Sequence, residues 1–413
     1  MKVLFISTSN IQGGAAIAAT RLMHAMRTAG YDVSMAVRTK RGSDTEAFAI
    51  GNEKANRLRF YWERGIIYLS NRLSRKNLFD VSIANTGVSI TKLPTFREAD
   101  IIHLHWVNQG MLSVKEIGQI LASGKRVIWT MHDMWPFTGI CHHAGSCNTY
   151  SVGCGHCPYL KSPSQNDLSR IIFRRKQLAY TKGNITFIAC SCWLKELAEK
   201  SLLTRGHRVL SIPNPIDTES YLPMDKSKVR NKLNLPLDKK IILFAAVKAS
   251  DKRKGMDYLV EAANLVAHHS KELLFLIAGS GGEDIEKQLA VPSRSMGYVS
   301  PQQMPELYNA SDLFVTPSLY ENLPNTIMEA MACGTPCVGF QVGGIPEMIT
   351  HRENGYVARY KDAVDLAEGI VWSLQEENHT VLSTNARNKV LQYYSQEKIA
   401  QQYKEIYEYE IKP

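Results

Sequence analysis

Long hydrophobic runs are absent from this sequence. No stretch of its 413 residues approaches the roughly 18 consecutive apolar residues of a membrane-spanning helix. The opening residues, MKVLFISTSN, contain an apolar run that is too short for the core of a secretory signal peptide. We therefore expect a cytoplasmic protein.

Acidic residues are outnumbered by basic ones. The sequence has 39 Asp and Glu against 49 Lys and Arg, which gives a formal net charge of +10. This excess favours an acidic partner such as a nucleic acid, an anionic membrane or a phosphorylated ligand. Because the sequence has no helix-turn-helix pattern and no aromatic RNA-binding signature, we expect no nucleic-acid partner.

The positive charge is concentrated in residues 54–76. This segment has seven Lys or Arg and one Glu, a local net charge of +6, with aromatic and aliphatic residues between the charges. The pattern is typical of an amphipathic helix at an anionic membrane surface, to which Arg57, Arg59 and Arg64 would supply cations. A solvated helix that packs on its own domain is the alternative.

Short apolar segments alternate with helical patterns along the chain. The length predicts two or three domains, and the alternation predicts parallel α/β sheets. Strands are predicted at 2–7, 33–37, 101–106, 127–132, 185–189, 241–247, 273–278, 313–316 and 338–340, and helices at 15–29, 114–122 and 256–268. Two prolines in 211–217 indicate a linker. We predict two doubly wound α/β domains, 1–212 and 213–390, that face each other across a cleft, followed by a helical segment, 391–413.

The loop KASDKRKG at 248–255 joins a predicted strand to a predicted helix. Arg253 and Lys254 lie where a diphosphate bound in the crevice of an α/β domain would need cations, and Gly255 permits the turn into the helix. A solvated basic loop is the alternative.

Two glutamates, Glu321 and Glu329, lie eight positions apart in the same half of the chain. Glu329 falls in a short predicted helix and would accept hydrogen bonds from both hydroxyls of a ribose. Glu321 precedes that helix and would lie nearer a bound sugar. The start of the helix, near Asn325, would offer its free N–H groups to phosphates.

Four of the eight cysteines are closely spaced, and they are Cys141, Cys147, Cys154 and Cys157. In a cytosolic protein such a cluster favours one structural zinc ion, with reduced thiols and disulfides as alternatives. His142, His143 and His156 are alternative ligands. A site of four thiolates has no open coordination position, so no catalytic role is expected for the metal. The remaining cysteines are expected to be small buried residues, and they are Cys190, Cys192, Cys333 and Cys337.

Taken in order, these motifs resemble glycosyltransferase family 4, the retaining enzymes of the GT-B fold. The resemblance rests on Gly13-Gly14, the run Thr-Met-His-Asp at 130–133, Pro-Asn-Pro-Ile-Asp at 213–217, Arg-Lys-Gly at 253–255, Glu321 with Glu329, and Gly-Gly-Ile-Pro-Glu at 343–347. The cysteine-containing segment after His132 makes the chain most similar to the colanic-acid and capsular polysaccharide branch. The resemblance implies two Rossmann-like domains and a C-terminal helix that crosses back onto the first.

The resemblance also assigns roles to individual residues. The catalytic residues it implies are Glu321, His132, Lys254 and Arg253. The donor-binding residues it implies are Gly14, Lys248, Tyr298, Val299, Leu323, Pro324, Asn325 and Glu329. The acceptor-binding residues it implies are Gly13, His105 and Trp106. Lys248 is a departure, because many members have an arginine in that neighbourhood, and lysine lacks the bidentate geometry of arginine.

The implied reaction is metal-independent transfer of a sugar from a nucleoside diphosphate sugar, either a UDP- or a GDP-sugar. The leaving phosphate takes the acceptor's proton, and the anomeric configuration is retained. The implied acceptor is a lipid-linked saccharide at the inner face of a bacterial membrane, where the protein would bind peripherally during surface polysaccharide synthesis. Two alternatives are a nucleotide-sugar epimerase or hydrolase of the same fold and a non-catalytic, basic, zinc-bearing protein that binds nucleic acid.

Overall fold

The computed structural model of the chain describes residues 1–249, 251–267 and 272–409. The chain forms two compact units: Met1–Pro213 with the chain end from Ile399, and Asn214–Lys398. No helix in the described ranges is both long enough and apolar enough to cross a bilayer.

The first unit is built on a sheet of seven strands in the order β3-β2-β1-β4-β5-β6-β7, and its pairings are parallel. The strands are β1 Lys2–Ser9, β2 Asp32–Thr39, β3 Ala47–Ala49, β4 Ile101–Leu104, β5 Arg126–Met131, β6 Ile185–Ala189 and β7 Arg208–Ser211. The helices between them are α1 Gly14–Thr28, α2 Glu53–Ser70, α3 Pro94–Glu98, α4 Val114–Leu121, α5 Leu168–Tyr180 and α6 Cys192–Glu199. The central strands are buried on both faces, which explains their continuous apolar sequence.

The second unit repeats this design with a six-stranded parallel sheet in the order β10-β9-β8-β11-β12-β13. Its strands are β8 Lys240–Lys248, β9 Leu273–Ser280, β10 Ser293–Gly297, β11 Leu313–Thr316, β12 Cys337–Phe340 and β13 Gly355–Ala358. Its helices are α7 Lys226–Lys232, α8 Met256–Leu265, α9 Gly282–Glu286, α10 Met304–Ala310, α11 Asn325–Ala332, α12 Ile345–Met348, α13 Ala363–Leu374 and α14 Glu376–Tyr393. Two parallel α/β sheets are what the sequence predicted.

The last helix, α15 Gln396–Tyr409, returns the chain to the first unit. Ile399, Tyr403 and Tyr407 are buried in the core that covers one face of the first sheet, together with Phe5 and Ile101. Parts of two predicted helices, His268 and 410–413, lie outside the described residues, as does Ser250 in the basic loop.

Both sheets have a point at which the strand order changes direction, between β1 and β4 in the first and between β8 and β11 in the second. Ligands of doubly wound sheets bind beyond the carboxyl ends of the strands at such a point. The loops that follow these four strands are therefore where a functional site is expected.

Candidate functional site

Three loops meet at the switch point of the second unit: the basic loop after β8, the loop 317–322 after β11, and the Gly-Gly turn after β12. Gly255 has a φ of 71°, and a Cβ atom there would lie 1.8 Å from the carbonyl oxygen of Pro317. The backbone N–H of Leu319 donates to the carbonyl of Arg253 at 2.8 Å. Only glycine allows this close approach, which places the basic loop beside the glutamate loop.

Lys254 and Glu321 form an ion pair at this junction. The Nζ atom of Lys254 contacts Oε1 of Glu321, and the hydroxyl of Ser318 donates to the same oxygen at 3.2 Å. About a third of the Lys254 side chain is exposed. The structure therefore brings two of the four predicted catalytic residues together.

The Gly-Gly turn packs against the backbone of Glu321 and the residue that follows it. Gly343 has a φ of 58°, and a Cβ atom there would lie 1.7 Å from the carbonyl oxygen of Glu321. The backbone N–H of Gly344 donates to the carbonyl of Asn322 at 2.7 Å. The Gly-Gly-Ile-Pro-Glu motif thus fixes the backbone that carries the glutamate.

The other predicted cations are more exposed. Arg253 pairs with Asp251, with its NH2 group 2.8 Å from Oδ2. Lys248 is the exposed last residue of β8. Tyr298 and Val299 follow β10, and the Tyr298 side chain is 73% exposed.

Glu329 lies one turn into α11 and is 7% exposed. Its Oε2 atom accepts a hydrogen bond from the hydroxyl of Tyr308 at 2.9 Å. Burial and the neighbouring carboxylate raise the pKa of Tyr308, so the phenol keeps its proton and acts as the donor. Tyr308 was not identified from the sequence, where a tyrosine on a helix gives no signal of such a contact.

The start of α11 has no side-chain cap. Pro324 occupies the N-cap position, and its side chain makes no capping hydrogen bond. Leu323 and Pro324 are buried, whereas Asn325 is half-buried and its Oδ1 accepts from the amide of Asn214 at 3.3 Å. The N–H groups at the start of a helix are suited to an anion.

In the first unit, the Gly13-Gly14 pair lies at the start of α1, in the loop that follows β1. Gly13 is the N-cap with a φ of 95°, and apart from Gly13 and its two chain neighbours no heavy atom in the described part of the chain lies within 4 Å of the Cβ position. The backbone is therefore open to a ligand at this point.

His132, His105 and Trp106 follow the carboxyl ends of β5 and β4. The Nε2 atom of His132 lies 3.2 Å from Nδ1 of His105. Burial lowers the pKa of His132 to about 4, so its imidazole is neutral at neutral pH. His105 is only 2% exposed. Trp106 donates its indole N–H to Oδ2 of Asp133 at 2.7 Å.

A buried cluster around Asp133 was not identified from the sequence. The Oδ2 atom of Asp133 is 2.7 Å from Nδ1 of His142, whose Nε2 is 3.2 Å from the hydroxyl of Ser82. Burial alone would raise the pKa of Asp133, but the charge of His142 and its hydrogen bond lower it to about 2. His142, which the sequence offered as an alternative zinc ligand, thus belongs to this carboxylate. The position of Asp133 next to His132 was the available signal.

The zinc prediction is not supported. The four clustered cysteines line one cavity of about 10 Å³, but across the described ranges no three His, Cys, Asp or Glu side chains are arranged to hold a metal ion. All eight cysteines are free thiols, as one alternative proposed. Burial raises the pKa of Cys154 to about 11 and of Cys157 to about 12, so both thiols stay protonated. The prediction that Cys192 is buried is wrong, because its side chain is exposed.

The basic segment lies in α2 only as far as Ser70, and this helix has a partly polar buried face and a partly apolar exposed face. Its buried residues are Asn56, Glu63, Arg64 and Ile67. Its exposed face carries large apolar side chains that are 59% to 68% exposed, namely Leu58, Tyr61, Trp62 and Leu69. The prediction that Arg64 supplies a cation to a membrane surface is wrong, because Arg64 is 5% exposed and donates to the carbonyl of Val81 at 2.9 Å.

Comparison with known proteins identifies the chain's relatives. The N-acetyl-alpha-D-glucosaminyl L-malate synthase of Bacillus anthracis is 24% identical over 80% of this chain and 79% of that protein. The UDP-Gal:alpha-D-GlcNAc-diphosphoundecaprenol alpha-1,3-galactosyltransferase of Escherichia coli is 22% identical over 80% of this chain and 81% of that protein. The crystal structure of Anabaena HepE in complex with UDP and glucose superposes with a TM-score of 0.65, at 18% identity, over 99% of each chain. This likeness and the two parallel sheets confirm the GT-B fold.

Two family models match in sequence order. The model for Glycosyl transferases group 1 matches residues 239–376, in the second unit. The model for Glycosyltransferase Family 4 matches residues 12–220, about half of the chain. The chain therefore belongs to Glycosyltransferase Family 4.

Proposed function

We propose that this glycosyltransferase moves a sugar, with retention of configuration, from a nucleoside diphosphate sugar to a lipid-linked saccharide during bacterial surface polysaccharide synthesis. The observation that carries the proposal is the Lys254–Glu321 pair at the switch point of the second sheet. The name of the E. coli relative includes both UDP-Gal and a diphosphoundecaprenol acceptor, and the HepE structure holds UDP and glucose.

The second unit provides the donor site in this proposal. Lys254 and Arg253 bind the diphosphate together with the N-terminal end of α11. Glu329 keeps Oε2 on Tyr308 and turns its remaining acceptor sites to the ribose hydroxyls. Glu321 binds a sugar hydroxyl while Lys254 holds its carboxylate.

The remaining predicted donor contacts surround these residues. Tyr298 and Val299 contact the nucleobase, Leu323, Pro324 and Asn325 shape the sugar pocket, and Lys248 adds a charge near the phosphates. These assignments are supported by the positions of the residues after β10, at the start of α11 and at the end of β8.

The first unit, approximately residues 1–212, provides the acceptor site through the Gly13-Gly14 loop and Trp106, and His105 contributes through its contact with His132. Gly14 brings its N–H toward the donor phosphate, and His132 contributes to the donor-sugar pocket as a neutral hydrogen-bonding group. Residues 213–390 form the donor domain, and α15, as far as Tyr409, packs on the first unit.

The chemistry requires no strong base from the protein. The bond between the anomeric carbon and the phosphate oxygen breaks, and the acceptor oxygen attacks the same face of the sugar. The acceptor's proton goes to the departing phosphate oxygen. Lys254 and Arg253 stabilise the negative charge that develops on that phosphate, which is the role a metal ion has in other transferases.

A matched pair of variants in the basic loop tests this role. Removing one positioned charge from a transition state costs about 100-fold or more in kcat, so we expect that loss in Lys254→Met. Lys252→Met, which removes an exposed lysine two positions away, serves as the control. We expect Glu329→Ala mainly to weaken nucleotide binding in calorimetry. Undiminished transfer in both Lys254→Met and Glu329→Ala would refute the proposal.

Product analysis separates transfer from the alternative reactions. The proposal predicts that the donor sugar appears on the lipid-linked acceptor with its anomeric configuration unchanged in the NMR spectrum. Release of free sugar or formation of an epimer, with no transfer, would favour the hydrolase or epimerase.

We further propose that α2 binds the anionic membrane surface that holds the acceptor. Its exposed apolar side chains would insert among the lipid headgroups, while Lys54 and Arg57 remain for the acidic phosphates. Each basic residue near such a surface contributes about 1 kcal/mol.

Vesicle sedimentation tests this docking. Arg57→Glu with Trp62→Ser should abolish binding to anionic vesicles, whereas reversing the exposed Arg174 on α5 should have little effect. Equal binding to neutral and anionic vesicles would contradict the electrostatic part. Unchanged binding in the α2 variant would contradict the site.

A further inference from the structure

Four aromatic rings, three of them buried, form a continuous row from α15 to the half-buried His132. The hydroxyl of Tyr407 on α15 lies 2.7 Å from Nδ1 of His103 on β4. The His103 and His105 rings are stacked with their centroids 4.4 Å apart, and His105 is hydrogen-bonded to His132. His103 is completely buried. The row therefore connects the end of the chain to a residue of the proposed active site.

Hydrogen bonds and packing hold both ends of His103. Its Nε2 lies 2.8 Å from the hydroxyl of Thr130, which is 2.9 Å from the hydroxyl of Tyr403 on α15. The Phe5 ring packs 4.7 Å from His103 and 4.7 Å from His105, centroid to centroid. Because both nitrogens of His103 are engaged and its ring is packed, neither it nor the ring stacked on it is free to tilt.

The proton between His105 and His132 has a preferred location. The Nε2 atom of His105 is buried and has no hydrogen-bond partner among the described residues. If that nitrogen carried the proton, a buried N–H donor would have no acceptor. Unpaired buried N–H donors are rarer in proteins than unpaired buried acceptors. We therefore assign the proton to Nδ1 of His105, which donates to Nε2 of His132.

The tautomer of His132 follows from this assignment. A neutral His132 that accepts at Nε2 carries its own proton on Nδ1, and that nitrogen lies 3.7 Å from the sulfur of Cys190. Sulfur is a weak acceptor, consistent with this orientation. In each ring, the hydrogen bond made by one nitrogen thus determines whether the other nitrogen is protonated.

We propose that Tyr407, His103, Thr130 and His105 are positioning residues that hold His132 in a single orientation and in the Nδ1–H form. The helix α15 then has two roles. It packs in the core on one face of the first sheet, and the hydroxyls of Tyr403 and Tyr407 hold Thr130 and His103 in place. The proposal rests on the proposed function insofar as it takes His132 to be part of the sugar site.

A hydroxyl-specific substitution series tests the row. Thr130→Val removes the hydroxyl and keeps the shape of the side chain, and Thr130→Ser restores the hydroxyl. Tyr407→Phe removes the hydroxyl at the other end. Tyr31→Phe is the control, because its ring packs edge-on against Tyr407 with centroids 5.6 Å apart while its hydroxyl faces Glu408 at the surface.

The first readout is the ¹⁵N NMR spectrum of protein labelled at histidine, with the His132 signals assigned by their loss in His132→Gln. We expect the wild type to show one set of His132 signals with the proton on Nδ1. Thr130→Val and Tyr407→Phe should shift or split these signals, whereas Thr130→Ser and Tyr31→Phe should preserve them. An unchanged His132 spectrum in both Thr130→Val and Tyr407→Phe would overturn the proposal, and so would a wild-type proton on Nε2.

The second readout is transfer. Misplacement of an active-site group can slow a reaction by tenfold or more, so we expect kcat to fall about tenfold in Thr130→Val, to recover in Thr130→Ser, and to change more than KM. If the NMR signals respond as expected but wild-type protein transfers no sugar, the proposed function fails and the positioning stands. If the wild type is active and Thr130→Val keeps the full kcat, the positioning proposal is refuted.

Discussion

Mild acid should destabilise this protein through its buried histidines. Burial lowers the pKa of His103 to about 3 and of His132 to about 4, against about 6.5 in an unfolded chain. Between these values the unfolded state binds more protons, so stability is complete above about pH 6.5 and falls as the pH drops toward the folded values. From pH 7 to pH 5 each histidine costs about 2 kcal/mol, or about 4 kcal/mol together.

That loss is a large share of the roughly 5–15 kcal/mol that stabilises a typical domain. His105, whose pKa is also lowered well below its usual value by burial, adds to the effect in the same direction. The carboxylate of Asp133 does not offset it, because its pKa of about 2 is low and its contribution is lost only at more acidic pH.

Urea unfolding followed by tryptophan fluorescence measures this effect. Five of the six tryptophans lie in the first unit, where the three histidines are, so the signal reports mainly on that unit. We expect the free energy of unfolding to fall by several kcal/mol between pH 7 and pH 5. A value that stays constant over this range would show that the histidines titrate normally, and would refute the account of their burial.

Three further predictions concern the second unit and the reaction. Gly343→Ala places a methyl group against the carbonyl of Glu321, so we expect a lower melting temperature and weaker donor binding; wild-type binding would show that the turn does not position the glutamate. Tyr308→Phe removes the hydrogen bond that Tyr308 donates to Glu329 and should weaken nucleotide binding about fivefold, a loss of about 1 kcal/mol, whereas unchanged calorimetric affinity would separate Tyr308 from the site. Transfer should proceed at the same rate after treatment with EDTA, and a rate restored only by a divalent cation would contradict catalysis without a metal.

Much of the fold could be predicted from apolar segments. Strands such as β6 and β11 are buried on both faces, so their hydrophobic sequence identified them with the correct bounds. The strands β10 and β7 were missed because their residues, SRSMG and RVLS, are polar or only half-buried. At the edge of a sheet the hydrophobic signal is weakest, although the backbone pairing is the same.

Site residues with a motif could be placed from the sequence, and those without one could not. The Lys254–Glu321 contact joins residues 67 positions apart, but each belongs to a recognisable loop. The contacts of His103 with Tyr407 and of Asp133 with His142 depend on how strands and helices pack, which composition and spacing do not encode. For the four clustered cysteines, a motif was present but its prediction is not supported. Their spacing predicted a zinc site, and the described residues contain no group of side chains arranged to hold a metal ion.

Sugar transfer by purified protein is the most direct test of the central claim. Wild type and Lys254→Met are each incubated with a UDP- or GDP-sugar and a lipid-linked saccharide acceptor. Both the release of nucleoside diphosphate and the formation of the glycosylated lipid are measured. We expect one nucleotide sugar to give both products in equal amounts and Lys254→Met to slow the formation of both about 100-fold. Equal rates in the two proteins would contradict the claim.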